Sequence, residues 1–437
     1  MKFWLGLIII LFTFVLNAEE RFIVTFDDAK KLLMSNNRDV LSALEKVKAA
    51  EGKLTEASSA FFPKLNLIGS YNYMTPVPKI DFSIPQSQFN SISKSIETGA
   101  NNNWLFKATF TQTIFDWGRS FDNYDAASLS YDISKIELEI VKVNTLSNLV
   151  QSFYGIILAK EVLNVSERSL EIAKEHLSVA EQKLKEGAGS SYEVLRSKVH
   201  VSTLKPIVSK AKNSVEISKN FLKNILNISL DKDIEINGKL EEEYIDIPSF
   251  EEVLKEAKEN RLELKKLQKT KEMSEKMLNV ISSYDKPSVT GVVSYSYQNP
   301  YFSQISWADS WNAGLVLNIP LFDGFQTAGK LKQAQTEVSS VDLNIKNMES
   351  LIELEVRQAI LNLNEIKERV ISQKDAVVEA EEYERIAEVS FKSGVITNLE
   401  VMDAQLSLLN TKVNYFQALY DYLIAKSNYL KAIGELK

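Results

Sequence analysis

Four segments of the chain alternate apolar and polar residues over about ten positions. In PKLNLIGSYNY, Leu65 and Leu67 fall on one side of an extended chain, and Lys64 and Asn66 fall on the other. Period-two alternation of this length predicts strands with one polar face. The four predicted strands span about 63–74, 103–114, 287–298 and 309–320.

Between the strand pairs, apolar residues recur at steps of three and four, as at Ile133, Ile136 and Ile140. This period predicts amphipathic helices. The predicted helices span about 26–60, 120–186, 192–227, 250–283, 326–393 and 399–434. A helix of about 67 residues is roughly 100 Å long. Since globular helices are far shorter, we expect a coiled-coil or helical-barrel arrangement.

The same succession of elements occurs twice. Phe115-Asp116 and Phe322-Asp323 are 207 positions apart (322 − 115), and Gly187 and Gly394 have the same spacing. A repeat of this size predicts a pseudo-symmetric, tandem-duplicated fold. The predicted organisation is a signal peptide at 1–18, a first repeat at 19–227, a linker at 228–249 and a second repeat at 250–437.

The first repeat carries 17 extra residues between its two strands, by comparison of the two offsets (224 − 207). They fall in MTPVPKIDFSIPQSQFNSISKSIETGANNN, which is rich in Pro, Ser and Asn. This composition is typical of a loop, and we expect one here.

The N-terminus, MKFWLGLIIILFTFVLNAEE, has the order of a secretory signal: Lys2, a short apolar run and then Ala18. We therefore expect an exported protein. Such alternating strands usually form a sheet on a soluble core. However, four of the five tryptophans lie at strand ends, as in the aromatic girdles of outer-membrane barrels: Trp104, Trp117, Trp307 and Trp311. We therefore favour membrane strands.

The two Phe-Asp segments come where a strand gives way to a long helix. Their aromatic residues suit a membrane interface, their aspartates can cap the following helix, and their glycines let the chain turn. The predicted membrane-boundary residues are Phe115, Asp116, Trp117, Gly118, Phe322, Asp323 and Gly324.

Composition excludes several classes of function. The chain has no cysteine, which rules out disulfides and thiolate sites, and its net charge of −7 argues against nucleic acid as a partner. Its two histidines, His176 and His200, lie in highly charged helical segments, and we interpret both as solvated surface residues. No catalytic, metal or cofactor motif is present, so we do not expect an enzyme.

The duplicated order of helix, strand pair, Phe-Asp boundary, long helix, Gly turn and return helix resembles the TolC family of outer-membrane efflux and secretion channels. The segment SFKSGVITNLEVMDAQLSLLNTKVNYFQALYDYLIAKSNYLKAIG is similar to the last hairpin of that family. The resemblance implies a mostly α-helical protein with a membrane β-barrel. Three copies with four strands each would form a 12-stranded outer-membrane barrel, continuous with a periplasmic α-helical barrel.

The resemblance also implies partners: a homotrimer, a periplasmic adaptor protein, an inner-membrane pump of RND, ABC or MFS type, and outer-membrane lipid. It places a gate at the helix turns far from the membrane. The implied gate residues are Glu400, Asp403, Glu193, Phe391 and Ile396, and the implied adaptor-docking turns contain Gly187 and Gly394.

At the gate the chain departs from the family pattern. Phe391 lacks the hydroxyl of the tyrosine often found at its position, and Ile396 lacks the charge of an arginine. Closure should therefore depend more on packing than on polar links. Glu400 and Asp403 are three residues apart on one predicted helix face, so three copies could form an acidic ring that attracts cations. The alternative is that both are ordinary charges near a helix start.

Two functions remain in competition at this point. The first is an outer-membrane exit duct for small toxic compounds or proteins, serving a tripartite efflux pump or a type I secretion system. The second is an exported periplasmic coiled-coil scaffold or adaptor without a membrane barrel.

Overall fold

The computed structural model describes residues 22–87, 90–301 and 305–436, so the predicted signal peptide at 1–18 lies outside the described residues. The helices are α1 (Phe26–Asn36), α2 (Arg38–Ser58), α3 (Arg119–Lys185), α4 (Ser191–Ile225), α5 (Phe250–Asn260), α6 (Leu262–Ser282), α7 (Gln326–Lys392) and α8 (Asn398–Ala432).

The helices match in pairs between the two repeats. The first and fifth have 11 residues each, the second and sixth 21, the third and seventh 67, and the fourth and eighth 35. This equality of lengths confirms a duplicated, mostly α-helical fold.

The strands are β1 (Phe22–Val24), β2 (Lys64–Tyr73), β3 (Lys79–Ser87), β4 (Asn90–Glu97), β5 (Asn102–Phe115), β6 (Ile234–Ile236), β7 (Ser288–Asn299) and β8 (Ala308–Asn318). Four of them form an antiparallel sheet in the order β2-β5-β7-β8. Each repeat therefore contributes one hairpin, and the two edge strands are β2 and β8. Apolar side chains on these edge strands, such as Leu67 and Leu315, are more than two-thirds exposed in the single chain.

The prediction of a loop across the 17 extra residues is wrong in its middle. Strands β3 and β4 form a separate antiparallel hairpin, in which Lys79 pairs with Glu97 and Ile80 with Ile96. The alternation of apolar Ile80 and Phe82 with polar Lys79 and Asp81 outweighed the loop-like composition of the segment.

The predicted helices at 26–60 and 250–283 are each interrupted once. Asn37 has an extended ψ of 130°, and its side-chain oxygen accepts hydrogen bonds from the backbone N–H groups of Asp39 (2.9 Å) and Val40 (3.2 Å). Its amide nitrogen donates to the carbonyl of Ile225 at 2.9 Å. In the second repeat Arg261 takes the same place, and its guanidinium donates to Glu355 at 2.6 Å. A buried polar residue thus separates the two helices in both repeats, and in the first repeat its side chain also caps the second helix.

The chain divides into two compact units, each built from pieces of both repeats. Of the described residues, the first contains those up to 42, those of 139–261 and those from 350 onwards, and the second contains those of 43–138 and 262–349. The two repeats therefore do not correspond to the two compact units, because the division falls within the long helices α3 and α7.

The core of the first unit lies where β1 and β6 pair in parallel against α1, α3 and α4. Its largest buried side chains include Leu33, Phe153 and Leu222, all at most 1% exposed. The predicted linker at 228–249 contributes β6 to this core. Further along, the hydroxyl of Tyr422 accepts a hydrogen bond from the backbone N–H of Ile245 at 3.1 Å, which fastens the linker to α8.

The second unit contains the four-stranded sheet and the ends of the helices nearest to it in sequence. Ion pairs join helices within this unit: the Lys276 ammonium lies 2.8 Å from Asp125 and 3.2 Å from Asp122, and Lys271 lies 2.8 Å from Asp342. Over the three described ranges, none of the helices combines the length and the apolar character needed to cross a membrane.

Candidate functional site at the helix turns

The turn between α3 and α4 is built around Gly187, which has a φ of 76°. The N–H of Gly187 donates to the carbonyl of Leu184 at 3.1 Å, and the N–H of Ala188 donates to that of Lys183 at 2.9 Å. This is the left-handed helix ending that glycine permits at no steric cost.

The turn between α7 and α8 repeats this geometry at Gly394, which has a φ of 78°. Its N–H donates to the carbonyl of Phe391 at 3.1 Å, and the N–H of Val395 donates to that of Ser390 at 2.9 Å. The structure thus places the two predicted turn glycines in equivalent positions of two equivalent helical hairpins, α3–α4 and α7–α8.

Glu400 and Glu193 both act in capping boxes at the starts of their helices. The carboxylate of Glu400 accepts hydrogen bonds from the backbone N–H of Thr397 at 2.7 Å and from its hydroxyl at 2.9 Å. These two donors, the backbone N–H first, lower the pKa of Glu400. Within one chain Glu400 is therefore an ionised helix cap.

Glu193 occupies the corresponding place in the first hairpin. Its carboxylate lies 3.5 Å from the backbone N–H of Ser190, and the Ser190 hydroxyl accepts a hydrogen bond from the N–H of Tyr192 at 3.1 Å. Both predicted acidic residues therefore have a local structural role that the repeat imposes on both hairpins.

Asp403 lies on α8 one turn beyond Glu400, and its side chain is exposed. Its charge acts on His200 of α4, where it raises the pKa of the imidazole. The two residues that the sequence places on one face therefore have different surroundings: Glu400 is bonded to its own helix start, and Asp403 is exposed.

Phe391 and Ile396 flank the second turn and pack on a small hydrophobic cluster with Ala387, Val401 and Ala404, here called the tip cluster. The latter three are at most 3% exposed. The Lys183 ammonium lies 4.6 Å from the centre of the Phe391 ring, a cation–π contact between the two hairpins. These predicted gate residues are therefore held by packing.

A buried polar contact that the sequence did not suggest joins the two hairpins. The side-chain amide of Asn398 donates a hydrogen bond to the hydroxyl of Ser197 at 3.0 Å, and both residues are at most 5% exposed. The signal for it was present in α4, whose buried residues alternate at steps of three and four. Ser197 falls between Val194 and Val201 in this stripe, so it had to point inwards.

The interpretation of His176 and His200 as solvated surface residues is wrong. The His176 side chain is only 17% exposed; its Nε2 lies 3.9 Å from the Glu388 carboxylate, and its ring centre lies 6.2 Å from that of Phe391. The Nε2 of His200 is buried and makes no hydrogen bond to any described residue. Both histidines are partly buried because two hairpins meet on faces that each helix alone would leave in water.

The two strand-to-helix boundaries share a further piece of local geometry. The carboxylate of Asp116 accepts hydrogen bonds from the N–H and the hydroxyl of Ser120, at 3.0 Å and 2.5 Å. That of Asp323 accepts one from the N–H of Thr327 at 2.7 Å. Each aspartate thus satisfies an otherwise unpaired donor in the first turn of a 67-residue helix.

Two consecutive residues with positive φ make each of these boundaries turn. They are Trp117 (59°) and Gly118 (81°) in the first repeat, and Gly324 (66°) and Phe325 (67°) in the second. The aromatic rings pack in pairs: Phe115 with Trp117 at 5.3 Å, and Phe322 with Phe325 at 5.4 Å. These rings are half or more exposed.

In the parts of the chain that the structure describes, no group of three or more acidic or histidine side chains could hold a metal ion. The chemistry at the turns is therefore that of caps, packing and ionisable side chains between helices.

The model of the outer membrane efflux protein family matches residues 30–227 and 253–435, which cover both helical hairpins and both strand pairs. The chain belongs to this family. The match includes the two turns and both strand-to-helix boundaries, and its interruption falls on the linker. Members of the family are channels rather than enzymes, which confirms the prediction that the chain has no enzymatic activity.

Individual members of the family support the same assignment. The chain is 22% identical to the outer membrane protein TolC of Escherichia coli over 415 residues, covering 89% of this chain and 78% of that protein. Its fold is similar to that of the Campylobacter jejuni CmeC outer membrane channel, with a TM-score of 0.78, 18% identity and coverage of 94% of this chain and 85% of that one.

The open state of the Neisseria gonorrhoeae MtrE outer membrane channel is also similar, with a TM-score of 0.75, 14% identity and coverage of 94% and 89%. The family assignment makes this chain a protein of the outer membrane with a long periplasmic helical part. The predicted resemblance to the TolC family is thereby confirmed.

Proposed function

We propose that three copies of this chain form an exit duct across the outer membrane, serving a tripartite efflux pump or a type I secretion system. The observation that carries the proposal is the family match across both repeats. The exposed apolar edge strands β2 and β8 support it. Pairing β8 of one copy with β2 of the next would satisfy both edges and produce a closed barrel of twelve strands.

The helices would form the periplasmic part of the duct, and the turns at Gly187 and Gly394 would be its far end. There a periplasmic adaptor would dock, and an inner-membrane pump would supply the cargo. The duct closes, in this proposal, because the contact of Lys183 with the Phe391 ring and the Asn398–Ser197 hydrogen bond hold the α7–α8 hairpin against the α3–α4 hairpin. The open state of the MtrE channel shows that a protein of similar fold does open.

Glu400 and Asp403 have different parts in this gate. Glu400 keeps the start of α8 folded and remains ionised there, whereas Asp403 is exposed one turn further along α8 and interacts electrostatically with His200 of α4. Three copies around an axis would bring at least three carboxylates to the duct, enough to attract cations. Phe391 and Ile396 replace a polar latch by packing.

The experiment that tests the duct combines fractionation with phenotype. The protein should sediment with the outer membrane, require detergent for release and migrate as a trimer. A deletion strain should accumulate dyes and antibiotics if the duct serves efflux, or lose specific proteins from its culture supernatant if it serves secretion. Release of the protein by osmotic shock would favour the periplasmic scaffold instead.

A further inference from the structure

The two histidines of the chain lie on the two helices of one hairpin, in the first compact unit, and both interact with the opposite hairpin. His176 is on α3 and His200 on α4, and each acts electrostatically on a residue of the opposite hairpin: Glu388 of α7 and Asp403 of α8. No other histidine occurs in the chain. The only side chains whose ordinary pKa lies between 5 and 8 are therefore both placed where the proposed gate would move.

Both imidazoles sit in surroundings that suit a neutral ring. His176 packs beside the Phe391 ring of the tip cluster, and the buried Nε2 of His200 meets no hydrogen-bond acceptor among the described residues. Protonation of His200 would place an N–H donor and a positive charge at a buried position without an acceptor, and protonation of His176 would place a charge on a side chain that is only 17% exposed; both changes are unfavourable.

We propose that His176 and His200 make the contact between the two hairpins sensitive to pH, so that mild acid loosens the α7–α8 tip from the α3–α4 tip. The proposal rests on the proposed gate only for its effect on conductance. The change in hairpin contact follows from the packing of the two rings, whether or not the turns form a gate.

Burial and the charges around each ring decide whether its pKa rises or falls. Burial is the main cause that lowers the pKa of both histidines, and for His200 the neighbouring His176 lowers it further. Lys392 also lowers the pKa of His176, while Glu388 and Glu175 raise it, and Asp403 raises that of His200. In both cases the net direction is downward.

The sign of the linkage follows from this direction. When the hairpins separate, both rings regain water and a pKa near 6.5. The packed state binds fewer protons than the separated state, so packing is favoured above about pH 6.5 and weakens as pH falls below it. Each unit by which packing lowers the pKa of a histidine changes the packing equilibrium by up to about tenfold.

One carboxyl group works in the opposite sense. Burial, and then the neighbouring Glu388, raise the pKa of Glu384 on α7, so acid favours the packed state at this position. Its ordinary pKa lies about two units below that of histidine, so its effect belongs to a more acidic range. A Glu384→Gln variant should therefore leave the loosening in place, and enlarge it at the acidic end.

The absence of cysteine allows the movement to be measured directly. Cysteines placed at Tyr192, at the start of α4, and Val395, in the turn before α8, can carry spin labels in the detergent-purified trimer, since these residues are 67% and 77% exposed. We expect pulsed electron paramagnetic resonance to show the population of longer distances rising at least about threefold between pH 7.5 and 5.5. His176→Gln and His200→Gln should each reduce this rise, and the double variant should abolish it.

A distance distribution that does not change with pH, or one that changes equally in the double glutamine variant, would overturn the proposal. A second measurement needs no substitution: with histidine-selective isotope labels and no histidine tag, nuclear magnetic resonance titration should give two imidazole signals with pKa values below 6.5. Values at or above 6.5 for both rings would contradict it.

Single-channel conductance separates this inference from the proposed function. If acid lengthens the distances and raises the open fraction, both the switch and the gate are supported. If acid lengthens the distances while conductance stays constant, the pH-dependent contact stands and the gate at these turns is refuted.

Discussion

At the scale of single residues, the hairpin tips show how context decides between two roles for similar side chains. Glu400 is exposed and polar, yet its carboxylate is engaged by Thr397 of its own helix start. Asn398, two residues away, is 5% exposed and bonds to Ser197 across the hairpins. The charged Glu400 thus bonds only within its own helix start, whereas the neutral Asn398 connects α8 to α4.

The Asn398–Ser197 hydrogen bond should stabilise the contact between the hairpins. We expect Asn398→Ala to leave a buried hydroxyl unpaired and to weaken that contact by about 1–3 kcal/mol. In a planar bilayer the open fraction of the duct should rise. The matched control is Asn410→Ala, since Asn410 is exposed on the same helix and should have no effect. Equal behaviour of the two variants would exclude Asn398 as a link.

Glutamine substitution separates charge from capping at Glu400. Glutamine can still complete a capping box, so Glu400→Gln removes only the charge, whereas Glu400→Ala removes both. If the tip carries an acidic ring, Glu400→Gln combined with Asp403→Asn should weaken conductance block by a trivalent cation about tenfold or more.

The control for this experiment is Glu379→Gln, at an exposed position of α7 well before the turn. It removes one carboxylate charge outside the tip and should leave block unchanged. Full block retained in the double variant would place the constriction elsewhere in the chain.

At the scale of elements, the two hairpins are copies that differ in what they bury. Their turns, caps and lengths coincide, as expected from the repeat. The buried stripe of α4 consists largely of valine, leucine and alanine at steps of three and four, with Ser197 among them. That of α8 includes Asn398 and Gln405. The polar positions within these stripes set how the hairpins face one another.

Gly394 and Gly329 offer a matched pair of glycine-to-alanine substitutions with opposite expected effects on stability. Gly394 has positive φ and open space around it, so Gly394→Ala should cost about 1–2 kcal/mol through backbone strain alone. Gly329 lies inside α7, also with open space, and Gly329→Ala should stabilise its helix by about 1 kcal/mol. Hydrogen exchange of the amides at 393–397 and 326–336 measures the two effects.

A Gly394→Asn variant tests whether strain at positive φ is the reason for the cost of Gly394→Ala. Asparagine tolerates the left-handed region better than alanine, so exchange at 393–397 should be slower in Gly394→Asn than in Gly394→Ala. The reverse order would show that the turn is limited by something other than φ.

At the scale of the whole molecule, the four-stranded sheet consists of one strand pair from each repeat. The extra residues of the first repeat form a separate sheet. The pairing of β2 with β5 runs without interruption from Lys64 opposite Thr111 to Tyr73 opposite Asn102. The β3–β4 hairpin lies between those two strands in sequence but forms its own sheet. The second repeat forms its strand pair without such a hairpin.

We therefore expect the β3–β4 hairpin to be dispensable for assembly. A variant in which residues 76–99 are replaced by residues 300–307 should retain the register of β2 with β5. It should reach the outer membrane in normal amounts and form trimers of unchanged conductance. Fractionation, light scattering of the purified trimer and bilayer recordings measure these properties. Loss of the trimer would show that the hairpin contributes to contacts between copies.

The sequence alone determined the elements of this protein and their repetition, because periods of two and of three to four residues, and the spacing of Phe-Asp and Gly, are local properties of the chain. It did not determine that His176 and His200 are partly buried, that Asn398 bonds to Ser197, or that Asn37 and Arg261 break a helix. These depend on which helix faces meet, and a helix face that is polar in the sequence becomes buried when a second hairpin packs on it. Only the tertiary structure decided those pairings, since they join distant residues: Asn398 and Ser197, for example, are 201 positions apart.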